Sequence, residues 1–208
     1  MNKKNKGENT RQQIVEKATT LFTKNGYNHT SLSQILKATG LAKGGFYFHF
    51  KSKEALGMAV IQSLEDCWKK QILPQLLRGK SAKEKLDLMF SSPGDCSSSE
   101  FRPTMLLLIL ATEMLEVNDK FSKMLSQIIK GWWTMIEAII EEGKLEKLFR
   151  EEIDATAVAA IILSNIMGAN LLALLNGSSD IYYKQLSSLK SVLFEGISTR
   201  NVPSNFAN

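Results

Sequence analysis

The sequence predicts an all-α protein with a small helix-turn-helix head and a larger helical body. Three observations carry that reading. Apolar residues recur at helical spacings and no segment shows the period-two alternation of strands. Four prolines in 208 residues leave long stretches unbroken. Near the N-terminus two short helical patterns flank a glycine-containing turn. A composition that is 44% hydrophobic and 23% charged supports a folded core and excludes wholesale disorder.

The first helix is expected to open at the capping box Thr10-x-x-Gln13 and to carry Ile14, Ala18, Leu21 and Phe22 on one face until Asn25-Gly26. A second short helix starts at Thr30-Ser31, with Ser31-x-x-Gln34 as its box, and bears Leu32, Ile35 and Leu36 before Thr39-Gly40. Next comes GLAKGGFYFHFKSKEAL, residues 40–56. On a helix, Phe46 and Phe50 share one face, four residues apart, toward the first two helices. Tyr47 falls beside them, and Phe48 and His49 lie around the rim. Ser52 caps a further helix, expected to end before Pro74. Short helix, tight turn and short helix, braced by a first helix, is the layout whose second helix enters the major groove of DNA.

Charge points the same way. Residues 1–60 hold ten Lys and Arg against three acids, +7, so the remaining chain carries −2 of the net +5. A basic end on a near-neutral body suits a polyanion-binding head. Gly44-Gly45 costs about 1 kcal/mol per residue relative to Ala inside a helix. Its use there is close approach of the helix to DNA. Lys43, Lys51 and Lys53 are placed to contact phosphate or guanine, and the Tyr47 hydroxyl to reach a phosphate.

Beyond Pro74, helices are expected at 82–90, 105–115, 121–142, 156–175 and 181–197, with a Ser, Gly and Pro loop at 91–100 and a frayed tail at 199–208. Ala155 to Ser179 holds no charge and is long enough to span a bilayer, but Ser164, Asn165, Asn170 and Asn176 interrupt it, so it reads as a buried bundle helix and no membrane partner is expected. Ala160, Ser164 and Gly168 form a ridge of small side chains that admits another helix closely. With Leu189 and Leu193 of the last helix, on the stripe Leu186, Leu189, Leu193 and Ile197, they are the candidate dimer interface. Met105, Leu108, Trp132 and Met135, with Ile139 and Met167, suit an apolar cavity or a plain core. Asn165 and Asn170 are the polar candidates for holding a ligand there, and packing hydrogen bonds account for them equally well.

An enzyme is disfavoured. Both histidines, His29 and His49, lie in the head, so the body has no Ser-His-Asp or Cys-His arrangement, and no phosphate-loop motif occurs. Glu141-Glu142 and Glu151-Glu152 read as solvated surface. Cys67 and Cys96 form neither a disulfide framework nor a metal spacing, and no cofactor or metal is expected. Cys96, in the 91–100 loop, is a candidate redox-sensing thiol against a plain loop cysteine. The polar N-terminus carries no secretory signal, which predicts a cytoplasmic protein.

Residues 10–56 closely resemble the DNA-binding domain of TetR-family transcriptional regulators. The matching elements are Ala18, Leu21-Phe22, Gly26-Tyr27, Thr30-Ser31, Ile35, Gly40-Leu41, Lys43-Gly44, Tyr47, His49-Phe50 and Lys53. The resemblance implies a DNA-binding domain at 8–55, its helix-turn-helix at about 31–50, and a helical ligand-binding and dimerisation domain at 56–198. It implies DNA contacts by Lys43, Gly44, Tyr47, His49 and Lys53. Thr30, Ser31 and Gly45 complete the DNA-binding set. A homodimeric repressor on a palindromic operator in double-stranded DNA, released by a small apolar effector, is the function implied. An interaction protein of the same fold without DNA binding is the alternative. The sequence departs from the family pattern at Ala42, where Ser or Thr often caps the recognition helix, at Leu36 and Thr39, where small residues are common, and at Phe48, where Tyr is frequent.

Overall fold

The computed structural model describes residues 3–91, 103–114 and 119–199, with the side chains of all but 3–6, 71, 72, 103–105, 114 and 179. The expected 91–100 loop, including Cys96, and the tail beyond Thr199 lie outside the described residues. The α-helices among the described residues are α1 Lys3–Asn25, α2 Leu32–Thr39, α3 Lys43–His49, α4 Lys53–Cys67, α5 Leu73–Leu76, α6 Ala82–Ser91, α7 Pro103–Met114, α8 Asp119–Leu145, α9 Ala155–Leu175 and α10 Ser179–Ile197. They sort into two compact units, one of residues 1–73 and 94–129, the other of 74–93 and 130–208.

In the first unit, α1 begins at Lys3, before the expected Thr10 box; the helix runs through Thr10, and the pattern mistaken for a start lies inside it. Buried Ile14, Val15, Ala18 and Phe22 of α1 meet Ile35, Phe46, Phe50 and the α4 residues Leu56, Val60, Ile61 and Leu64 in one core. Tyr27 is wedged between Phe22 and Phe121, with ring centroids 5.1 and 5.3 Å away. Gly57 leaves that wedge its room, because a Cβ there would come within 2.7 Å of Phe121 and 2.8 Å of Tyr27.

The fourth helix does not stop at Pro74. A π-helical turn, Trp68–Ile72, follows α4 and leads into α5, which contains Pro74. Proline lacks an N–H and crowds the carbonyl four residues back. The wider π turn, in which the Leu73 N–H donates to the Trp68 carbonyl, takes up that misfit without ending the helix. Cys67, just before this turn, is disulfide-bonded, which corrects the expectation that the cysteines make no framework.

In the second unit, α6 is tied to α8 at its first turn. The Ala82 N–H donates to Glu146 at 2.9 Å, and Lys85 donates to both Glu142 oxygens at 2.5 and 2.6 Å. Glu142 is therefore an intramolecular ion-pair partner, whereas the sequence read it as solvated surface. Asp154 caps α9 by accepting from the Ala157 N–H at 3.1 Å. α9 and α10 pack together through Ala169, Ala173, Tyr182 and Leu186. By length and composition alone α9 could cross a membrane, with a mean hydropathy of 2.1 over its most apolar window. Its inner face, Val158, Ala159, Ile162, Ala169 and Ala173, is buried in its own unit.

Candidate nucleic-acid interface

The helix-turn-helix is assembled by local chemistry. Ser31 caps α2: its hydroxyl accepts from the Gln34 N–H at 3.2 Å while the Gln34 side chain accepts from the Ser31 N–H at 2.7 Å, closing the expected capping box. Gly40 ends α2 at φ +69°, in the left-handed region that glycine enters without strain. Ala42 occupies the N-cap of α3 and makes no side-chain cap. Ser52 caps α4 by accepting from the Ala55 N–H at 3.0 Å. These short-range bonds fix where α3 starts and stops.

Burial then decides which way α3 faces. Phe46 is 0% exposed and Phe50 3%, whereas Tyr47 is 39% and Phe48 79% exposed. One side of the helix is bolted into the core and the other is offered to solvent. Lys43, Gly44 and Tyr47 lie on the exposed part of α3, and His49 and Gly45 are half-buried. Neither glycine is required by the chain itself. A Cβ at Gly44 would meet nothing within 4 Å, and at Gly45 only Leu41 at 3.5 Å, an ordinary contact. Their φ angles are not positive either.

Three candidates sit differently from the rest. Thr30 is fully buried, and its hydroxyl donates to the Gly26 carbonyl at 2.7 Å and the Leu21 carbonyl at 3.3 Å. It ties the α1–α2 turn together and offers DNA no side chain. Ser31 is exposed but occupied as a cap. Lys53 lays its Nζ 4.3 Å above the Tyr27 ring, and burial lowers its pKa while the charge of Glu113 acts to raise it. The sequence reading missed Arg11, whose guanidinium lies 4.8 Å over Phe50 at the end of α3. Its spacing from Phe50 in sequence gives no local signal for that pairing.

In the second unit, α9 and α10 enclose an open groove of about 650 Å³ lined by Ser164, Asn165, Gly168, Leu172, Leu189 and Val192 among others. Ser164 is exposed, Ala160 and Gly168 half-buried, and Leu189 lines the groove. Leu193 is 7% exposed and turned into its own unit, while Val192, not anticipated, is 70% exposed on the groove. Asn165 also lines it, with its amide donating to the Ile161 carbonyl at 2.8 Å. Asn170 is buried, and its amide donates to the Ile166 carbonyl at 2.9 Å. Trp132 is buried and Met135 half-buried in this unit; Leu108 is half-buried in the first, and the Met105 side chain lies outside the description.

A basic head with one face of its second short helix exposed, set among helices, has the layout of a helix-turn-helix DNA-binding regulator. The family model for bacterial regulatory proteins of the tetR family matches residues 14–60, and that for the tetracyclin repressor-like C-terminal domain matches residues 89–189. The chain belongs to the TetR family of transcriptional regulators, which are not enzymes. It is 24% identical to the fatty acid metabolism regulator protein of Bacillus subtilis over 74% of this chain and 78% of that one. It is 29% identical to the HTH-type transcriptional regulator QacR of Staphylococcus aureus over 66% of this chain and 72% of that one. Among solved structures, a TetR transcriptional regulator from Chloroflexus aurantiacus superposes with a TM-score of 0.80 at 26% identity, covering 93% of this chain and 98% of the other.

Proposed function

We propose that this regulator is a homodimeric, cytoplasmic repressor of a palindromic operator, released when a small, largely apolar ligand binds its body. Gly44-Gly45 is the observation that carries the DNA-contact reading. Two glycines inside a helix cost about 1 kcal/mol each, and nothing in the chain's own packing or backbone geometry asks for them. A partner that needs the helix backbone close does ask for them, and a DNA backbone is such a partner. Lys43 and Tyr47 beside them supply the cation and hydroxyl for phosphate, and half-buried His49 stands at the far end of α3.

DNA binding is assigned to residues 8–55 and ligand binding with dimerisation to 56–198. Two copies of α3 then meet successive major-groove faces about 34 Å apart. A ligand favouring another separation lowers operator affinity by its differential affinity for the two states. Of the ligand candidates, Asn165 faces the groove assigned here to the second protomer. That leaves buried Asn170 and Trp132, with Met135, as the ligand-facing set of the second unit, and Met105 and Leu108 as that of α7.

Selection of bound duplexes from a random DNA library at low salt tests the reading. An enriched palindrome with half-sites about one helical turn apart is expected. A fold-sharing interaction protein is the second reading, favoured by the uncapped Ala42. Its signature is no enrichment by the wild type or by Ala42→Ser, and that result would sink the operator proposal.

A further inference from the structure

We propose that the phenyl ring of Phe48 reads sequence, packing against the 5-methyl group of a thymine in the major groove. The inference rests on the DNA-binding reading and adds to it a base-reading residue.

Phe48 is the most exposed aromatic side chain of the helix-turn-helix, at 79%. At about 100° per residue it lies opposite the midpoint of buried Phe46 and Phe50, so the packing that anchors α3 also aims Phe48 outward. Gly44 stands one turn earlier on the same face. Helical side chains lean toward the N-terminus, over the residue four positions back. With no side chain at Gly44 and no atom within 4 Å of where its Cβ would be, the ring's leading side has no Cβ neighbour there. His49 stands edge-on to the ring at 5.0 Å and 89°, a contact that restrains its orientation. The result is an apolar plate held out from the helix face that the DNA reading places in the groove.

The chemistry of the ring narrows what it can read. A phenyl group has no donor or acceptor, so it gains nothing from phosphate oxygens or from the donor and acceptor pattern of guanine, adenine or cytosine. Among the four bases, only thymine presents an apolar group in the major groove, its C5 methyl. The neighbouring Lys43 and Lys51 remain free to hold the backbone while the ring discriminates.

The test uses the full-length protein and the duplex enriched by selection, with each thymine replaced in turn by deoxyuridine, which lacks only that methyl. Burying one methyl group corresponds to about fourfold in affinity per half-site. Wild type should therefore bind about fourfold more weakly when one particular thymine of a single half-site is replaced, and about sixteenfold more weakly when it is replaced in both half-sites. Phe48→Ala should bind both duplexes equally, and Phe48→Leu, which keeps an apolar tip, should retain part of the difference. The inference is overturned if no thymine is fixed in the half-site, if no replacement matters, or if Phe48→Ala weakens both duplexes alike and keeps the ratio. Failure of wild type to enrich any duplex would instead remove the DNA reading itself. Because Phe48 is exposed, unchanged melting of both variants is the expected control.

Discussion

Glu113 on α7 accepts a hydrogen bond from the backbone N–H of Asn28, in the turn between α1 and α2, at 2.8 Å across 85 residues of sequence. The same carboxylate lies against Gly26, whose φ of +83° lets the turn pass close beneath it, and its charge bears on Lys53. One α7 side chain thus holds the turn that presents the helix-turn-helix. Glu113→Ala should destabilise the first unit by about 1–2 kcal/mol, since a charge-assisted bond is lost and the freed N–H must find water. Glu113→Gln, which keeps the acceptor, should recover part of that. Denaturant unfolding reads the size, and faster exchange of the Asn28 amide locates it. Equal unfolding midpoints for wild type and Glu113→Ala would show that the bond contributes nothing.

Tyr27 gives the head an alkaline limit. Burial, with the charge of Glu54 second, pushes its pKa from 10.0 up to about 12. The folded state then holds the phenol proton more tightly than the unfolded state. That stabilisation is complete below about pH 10 and is lost as pH rises toward 12, on the order of 2 kcal/mol in all. Lys53, whose folded pKa is lowered, contributes with the opposite sign, its stabilisation growing as pH rises toward its ordinary 10.5. Tyr27→Phe keeps the ring under Lys53 and removes only the hydroxyl. Unfolding free energy should therefore fall more steeply from pH 10 to 12 in wild type than in Tyr27→Phe. Parallel curves would mean that the phenol titrates normally.

Thr30 and Lys43 separate scaffold from contact. Thr30→Val leaves the Gly26 and Leu21 carbonyls without their shared donor in a buried site, which should cost about 1–3 kcal/mol. Its salt dependence of operator binding should match wild type. Lys43→Ala should leave stability within about 0.5 kcal/mol, since the side chain is exposed. Its slope of log affinity against log salt should fall in magnitude by about 1.8, the share of two released counterions, one for the Lys43 of each protomer. An unchanged slope would remove Lys43 from the phosphate contacts.

What the sequence disclosed and what it hid divide along physical lines. Features written within four residues were legible: the Ser31–Gln34 box, the Gly40 stop, the missing cap at Ala42, and Phe46 with Phe50 on the inner face. Features depending on partners far along the chain were not. Glu113 meets Asn28, and Arg11 meets Phe50, through folding alone, and no local pattern announces either. Thr30 reads as a polar residue at a helix start, and only burial turns it into a brace. In α10 the periodic stripe was real but marks the inner core: Leu186, Leu193 and Ile197 are 1%, 7% and 4% exposed. The groove takes Leu189 from that stripe and otherwise the neighbouring one, Gln185, Ser188 and Val192, about one residue around the helix.

The groove supports the last prediction. Gly168 sits on its floor, and a Cβ there would meet nothing within 4 Å, so its own protomer does not need the glycine. Ile161, Leu172, Leu175 and Val192 on the same two helices are 48%, 41%, 71% and 70% exposed. Aliphatic exposure on that scale around a small-residue floor suits a second copy of these helices approaching closely. Gly168→Leu removes a helix-weakening glycine, so each protomer should fold at least as stably as wild type. The added side chain would nonetheless hold a partner helix away. Analytical ultracentrifugation should show the dimer dissociating at concentrations at least about tenfold higher than for wild type, a loss of about 1.4 kcal/mol. Helical circular dichroism should stay unchanged. Val192→Glu, which places a charge on the rim instead of bulk on the floor, should act in the same direction. If both variants dimerise as wild type does, the two-fold contact lies elsewhere. The groove, with Asn165 on its wall, then becomes the first place to look for the ligand.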